Sequence, residues 1–237
     1  MEEKDSKSEK RFPSRCNTPL KPGYSPEMDD SCDLKADGLQ YYQELVGVLR
    51  WMVELGRVDI LLETSLMPSH LSLPRLGHLE QLIHIFGYLK AHSKRKLAFD
   101  AAHPNIDEKR FKKYDWYDFY CRAKEAIPTN CLKSLGNSMS TYCFVDADLA
   151  GNLISRRSQT GVLIFCNRAP VIWHSKRQNL VESSTCGSEI MALKNAIELI
   201  EALRYKLRMF KVTIGDRPIS SATTNPSTRI FQSHKQH

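Results

Sequence analysis

The sequence predicts an α/β protein in which an N-terminal helical segment precedes three antiparallel strands and one long helix. Three observations lead there. Apolar side chains recur at helical spacing between residues 39 and 90. After residue 140 the pattern changes to short runs rich in β-branched and aromatic residues. From Ser184 to Phe210 one apolar stripe continues at helical period.

Residues 1–37 are polar and carry Pro13, Pro19, Pro22, Gly23 and Pro26, with too few large apolar groups to offset the entropy of ordering; they read as a disordered linker or tail. Asp29 and Asp30, the adjacent aspartate pair, follow Pro26 in this polar stretch instead of joining two apolar strands, so they read as a solvated loop and no polymerase active site is expected. Residues 38–100 form the helical segment. Tyr42, Leu45, Val46, Leu49, Met52 and Val53 give one helix that Gly56 stops, Val58–Leu66 is a shorter apolar segment ended by Pro68, and Leu82, Ile83, Phe86 and Leu89 mark a second helix. Lys94, Arg95 and Lys96 follow where cations suit the helix dipole.

Residues 101–140 read as an insertion or linker. Their run KRFKKYDWYDFY (109–120) could stack bases or pack on a neighbouring domain; Asp115 and Asp118 dilute its positive field and favour packing. Residues 141–212 hold the strands Tyr142–Leu149, Gly161–Cys166 and Pro170–Trp173, with turns at Gly151-Asn152 and Asn167-Arg168. The helix that follows, capped by Ser184 or Thr185, is expected to pack across them through Ile190, Leu193, Ile197 and Ile200. Residues 213–237 read as a divergent tail.

A hydrophobic fraction of 41% and a charged fraction of 26% match ordinary globular usage and exclude a wholly disordered or fibrous chain. No apolar run approaches the ~20 residues of a membrane span. Met1–Lys10 is charged instead of apolar, so the expected protein is intracellular, not secreted and not membrane-bound. The seven cysteines include no C-x-x-C pair, which argues against a zinc knuckle or disulfide framework; Cys143 and Cys166 lie in apolar runs and read as buried hydrophobes. The net charge of +7 suits a polyanionic partner, and equally suits solubility alone.

The first strand ends in Phe144-Val145-Asp146-Ala147-Asp148, and Glu189 lies near the start of the long helix. A strand-borne carboxylate opposed by one from a crossing helix can hold Mg²⁺ against a phosphodiester. Spacing alone leaves the plainer reading open: an Asp that forms a turn and a Glu that complements the helix dipole.

The runs TYCFVDADLAGN, RRSQTGVLIF and NRAPVIWHSKRQNLVESSTCGSEIMAL resemble, in this order, the ribonuclease H domain of copia-type retrotransposon polyproteins. Upstream, Thr18-Pro19-Leu20, YYQELVGVLRWMVELGRVDI and GHLEQLIHIFGYLK resemble the helical stretch that follows that family's reverse transcriptase. The resemblance spans about residues 17–211. It implies an incomplete ribonuclease H-like domain at 141–212 and a reverse-transcriptase tail at 38–100. By motif position Asp146 and Glu189 become the catalytic, metal-holding carboxylates, with Mg²⁺ as cofactor. The implied partner is an RNA–DNA hybrid, contacted by Arg156, Arg157, Lys176, Arg177 and Gln178.

The chain departs from the family where the third carboxylate is due: Asp216, in a Gly-Asp-Arg-Pro turn, is the only aspartate after Glu189. Leu149 also replaces the family's tryptophan, and Leu66-Met67-Pro68 interrupts an upstream helix. Two carboxylates supply too little fixed charge for two Mg²⁺ ions. The expectation is therefore a polyprotein fragment with weak or absent Mg²⁺ binding and no hybrid cleavage; the alternative is a nonenzymatic, host-recruited module that binds nucleic acid or presents its helices.

Overall fold

The computed structural model describes residues 16–105, 127, 129–215, 219–222 and 229–232, the last two stretches as backbone strands only. The run 109–120 and Asp216 lie outside the described residues. The chain divides into two compact units, residues 1–96 and 97–237.

In the first unit, α1 (Ala36–Glu54) buries Tyr42, Val46, Leu49 and Val53, the stripe that its helical spacing predicts. Gly56 adopts φ 105°, a left-handed conformation open to glycine, just past the helix end. The segment 58–70 runs as a 3₁₀ turn, then α2 (Leu61–Leu66), then a second 3₁₀ turn, Met67–His70. The α-helix ends at Leu66, just before Pro68, as expected, and Pro68 then occupies the first turn of Met67–His70, where a missing N–H costs nothing. α3 (Leu76–Ala91) buries Leu79, Leu82, Ile85, Tyr88 and Leu89. Tyr42 lies inside this core and donates its hydroxyl to the Met67 carbonyl at 2.8 Å.

The linker expected at 1–37 is, from residue 16, a structured strap. Cys16 and Pro26 are buried, and Asp33 pairs with Arg75 as an isolated antiparallel bridge. Polar contacts hold the strap where composition shows no apolar core. The Asp29 carboxylate accepts from the Tyr24 hydroxyl at 2.5 Å and from the Ser31 hydroxyl and N–H at 2.5 and 3.0 Å, and Ser31 Oγ in turn accepts the Gly77 N–H at 2.8 Å. His78 accepts the Arg75 N–H at Nδ1, which leaves Nε2–H to donate to the Pro26 carbonyl at 2.8 Å.

At the other end of α3, Arg57 makes two hydrogen bonds of 2.9 Å to Asp59. Tyr88 donates to Asp59 at 3.1 Å, and Arg95 donates to the Tyr88 oxygen at 2.6 Å while its guanidinium lies 5.3 Å from that ring's centre. The cation after the helix therefore serves a specific network as well as the dipole.

The second unit is mixed α/β. Its sheet contains the three predicted antiparallel strands, β2 (Thr141–Asp148), β3 (Gln159–Cys166) and β4 (Ala169–Arg177). Asn167 takes φ 52° in the two-residue turn between β3 and β4, a conformation asparagine tolerates. The sheet is wider than expected, because the stretch read as a divergent tail supplies β6 (Ile219–Ala222), parallel to β2, and β7 (Arg229–Gln232), antiparallel to β6. The order is β4-β3-β2-β6-β7. A separate parallel pair joins β1 (Leu135–Met139), inside the stretch read as an insertion, to β5 (Val212–Ile214).

The long helix, α4 (Thr185–Met209), is capped by Ser184, whose hydroxyl accepts the Gly187 N–H at 3.1 Å. It covers Cys143, Val145, Ala147, Val162 and Ile164 with Ala192, Ala196 and Ile200. The buried line is Ser188, Ala192, Ala196, Ile200 and Arg204, not the line through Ile190, which is 59% exposed. Small side chains let the helix axis approach the sheet, so the alanines face it and Leu199 and Leu203 flank the contact. Each large apolar side chain buried here contributes about 1.5–3 kcal/mol.

Candidate nucleic-acid interface

Strand alternation sets out the site. On β2, Cys143, Val145 and Ala147 point under α4, while Phe144, Asp146 and Asp148 are exposed on the other face. Asp146 pairs with Gly161, which pairs with Ser175 on β4. A Cβ on Gly161 would meet nothing within 4 Å, so the carboxylate stands in an open row.

Glu189 lies one residue past the buried Ser188, in the opening turns of α4, and is partly buried. Asp146 is thus on one face of the sheet, and the helix bearing Glu189 covers the other. Two further carboxylates are committed locally. That of Asp148 folds back so closely over Gly151 that a Cβ there would collide with it, and that of Glu182 lies against Gly187 in the first turn of α4. Asp148 is thereby a turn former, and Glu182 complements the positive end of the helix. Among the described residues no group of three or more His, Cys, Asp or Glu side chains is arranged to hold a metal ion. The described side chains do not fit a two-Mg²⁺ centre, which needs several carboxylates converging on ions about 4 Å apart.

The basic residues come together better than the acids. Arg156 and Arg157 are exposed in the β2–β3 connection; Lys176 and Arg177 are exposed at the end of β4. The register sets Thr160 opposite Lys176 and Gln159 opposite Arg177, and the Gln178 N–H donates to the Ser158 carbonyl at 2.8 Å. All four cations thus lie towards the end of the sheet where β2 carries Asp146 and Asp148, with Arg177 on the open face beside Asp148 and Lys176 on the face that α4 covers.

Gln178 is corrected from a surface contact to an interior one. It is 6% exposed, and its Nε2 donates to Thr160 Oγ1 at 3.0 Å and to the Ser188 carbonyl at 2.8 Å. It ties the start of α4 to β3 and cannot reach a nucleic acid from there. A polar residue beside two surface cations carries no sequence signal of such burial. Glu182 and Ser188 were also unmarked in the sequence; only the position of the helix start assigns them.

The connection bearing the arginines is stiff. Asn152 Oδ1 accepts the Ser155 N–H and hydroxyl, both at 2.7 Å, its carbonyl accepts the Arg156 N–H at 2.8 Å, and Ser158 Oγ accepts the Ala150 N–H at 3.1 Å. Ala150 and Arg156 both adopt φ 54°. On the open face, towards the opposite end of β2 and β3 from this connection, the Tyr142, Phe144 and Phe165 rings pack together at centroid distances of 5.0–5.9 Å.

No family model and no solved structure matches the chain. It is similar to a protein named secreted RxLR effector protein 161, from Plasmopara viticola: 26% identity over 170 residues, spanning 72% of this chain and 96% of that protein. That protein is named as secreted, which overturns the expectation of an intracellular, non-secreted chain. The charged residues at positions 1–10 do not by themselves decide the compartment.

Proposed function

We propose that the second unit is a nucleic-acid-binding module derived from the ribonuclease H of a copia-type retrotransposon polyprotein, and that it no longer cleaves RNA. The observation that carries this reading is the gathering of Arg156, Arg157, Lys176 and Arg177 at the sheet end beside Asp146. Cations grouped on one edge neutralise several phosphates at once and release their counterions, an attraction that does not depend on a metal centre. The ordered motifs around Asp146 and Glu189 support descent from a hybrid-directed nuclease. The commitment of Asp148 and Glu182 to local turns supports the loss of cleavage.

The test is a labelled RNA–DNA hybrid incubated with the full chain in Mg²⁺, with binding followed by anisotropy and cleavage by fragment release. Salt-sensitive binding without fragments is expected. Robust Mg²⁺-dependent cleavage that disappears in Asp146→Asn would establish an active nuclease, and absence of binding at low salt would remove the reading altogether.

The likeness to the RxLR effector favours a second reading, that of a secreted effector protein. Recovery of the tagged product of the native gene from the surrounding medium supports it; retention in the producing cell rejects it.

A further inference from the structure

We propose that Leu153 and Ile154, at the tip of the β2–β3 connection, form an aliphatic wedge that enters the minor groove of a bound duplex and unstacks a base step. Arg156 and Arg157 hold the phosphates beside it. This rests on the nucleic-acid-binding reading above and specifies how the contact is made.

Leu153 is 51% exposed and Ile154 67% exposed. Exposed aliphatic residues are ordinary, and Leu180 and Val181 are 58% exposed after β4; Leu153 and Ile154 differ in sitting on a loop braced by hydrogen bonds beside two arginines. A flexible loop would fold such side chains down onto the protein. This one is held out by the Asn152 and Ser158 hydrogen bonds and by the left-handed turns at Ala150 and Arg156. Rigidity of that kind suits a wedge, which must not yield when pressed between bases. Leucine and isoleucine are residues that minor-groove proteins insert this way.

The charges select the partner. Arg156 and Arg157 follow Ile154 within about 10 Å of chain, and Lys176 and Arg177 extend the positive edge from β4. Asp146 and Asp148 are exposed at the same end. A continuous anionic surface such as a bilayer would bring phosphates against those carboxylates. A duplex confines its phosphates to two rails and leaves the acids over the groove. Because unstacking costs least at mismatched or flexible steps, the bound complex should favour them.

The experiment uses the full chain and an RNA–DNA hybrid with 2-aminopurine at the centre of its DNA strand, either matched or mismatched. The wild type should raise 2-aminopurine fluorescence on binding and prefer the mismatched hybrid several-fold. Ile154→Ser alone should reduce both effects, and Leu153→Ser with Ile154→Ser should abolish them, with the far-UV spectrum and the salt dependence of binding unchanged. Arg156→Ala with Arg157→Ala should instead weaken binding to both hybrids about tenfold or more. Binding with no fluorescence change, or with equal affinity for the two hybrids, overturns the wedge and leaves the binding reading intact. Absence of hybrid binding overturns both. Sedimentation with phosphatidylserine vesicles that is lost in the double serine variant, together with unaltered hybrid fluorescence, assigns the tip to a lipid surface and overturns the wedge.

Discussion

Arg204 Nη1 donates to Thr141 Oγ1 at 2.9 Å deep in the second unit, and its Nη2 donates to the Gly215 carbonyl at 2.9 Å. At 1% exposed it is the largest fully buried side chain described. It closes the buried line of α4 and joins the helix to the first residue of β2 and the end of β5. Arg204→Met keeps the apolar stem and leaves those acceptors unsatisfied. The expected loss is about 2–4 kcal/mol, read as a lowered urea midpoint with an unchanged slope.

In the first unit a Cβ on Gly77 would collide with the Asp29 carboxylate that lies over the first turn of α3. Gly77→Ala should therefore destabilise by about 1–3 kcal/mol. In an Asp29→Ala background the same change should be neutral, or stabilising by up to about 1 kcal/mol, since alanine suits a helix better than glycine. Additive losses in the double variant would show that the close approach is not the cause.

Glu63 and Asp59 should shape the pH dependence of this unit in opposite senses. Burial pushes the Glu63 carboxyl up; its own backbone N–H opposes this, and the charge of Asp59 adds to it. Stability from the protonated form is present below the ordinary glutamate range and lost as pH rises through the raised value. For Asp59, hydrogen bonds from Arg57 lead the effects that hold its carboxyl low against burial. That contribution is present above the ordinary aspartate range and lost as pH falls through the lowered value. Urea midpoints against pH should show Glu63→Gln flattening the limb on the rising-pH side and Asp59→Asn flattening the acid limb.

Binding of nucleic acid should report each basic residue through salt. Removing Arg156 and Arg157 together should reduce the slope of log affinity against log salt by about 2. Gln178→Ala should leave that slope unchanged and cost about 1–3 kcal/mol of stability, because its amide pins Thr160 and Ser188 instead of touching a ligand. A Gln178→Ala protein of normal stability with a reduced slope would return this residue to the interface.

Periodicity alone determined where α1, α3, α4 and the strands β2 to β4 lie, since residues 3.6 or 2 apart must share a face whatever surrounds them. It also placed Asp146 at a strand end and Glu189 near a helix start. Features that depend on contacts distant in sequence were not legible there. The strap at 16–35 is polar and looks unfoldable by composition; the Asp29 carbonyl accepting from Arg75, the Ser31 hydroxyl accepting from Gly77 and the His78 ring meeting the Pro26 carbonyl hold it through partners some 46 to 52 residues away. Strands β6 and β7 are four residues each, too short for alternation to register, and become strands only because β2 offers an open edge to β6 and β6 in turn offers one to β7. Local pattern likewise could not decide which side of α4 faces the sheet. Close packing chose the alanines and Arg204 over Ile190, because small side chains and a satisfied guanidinium allow the nearer approach.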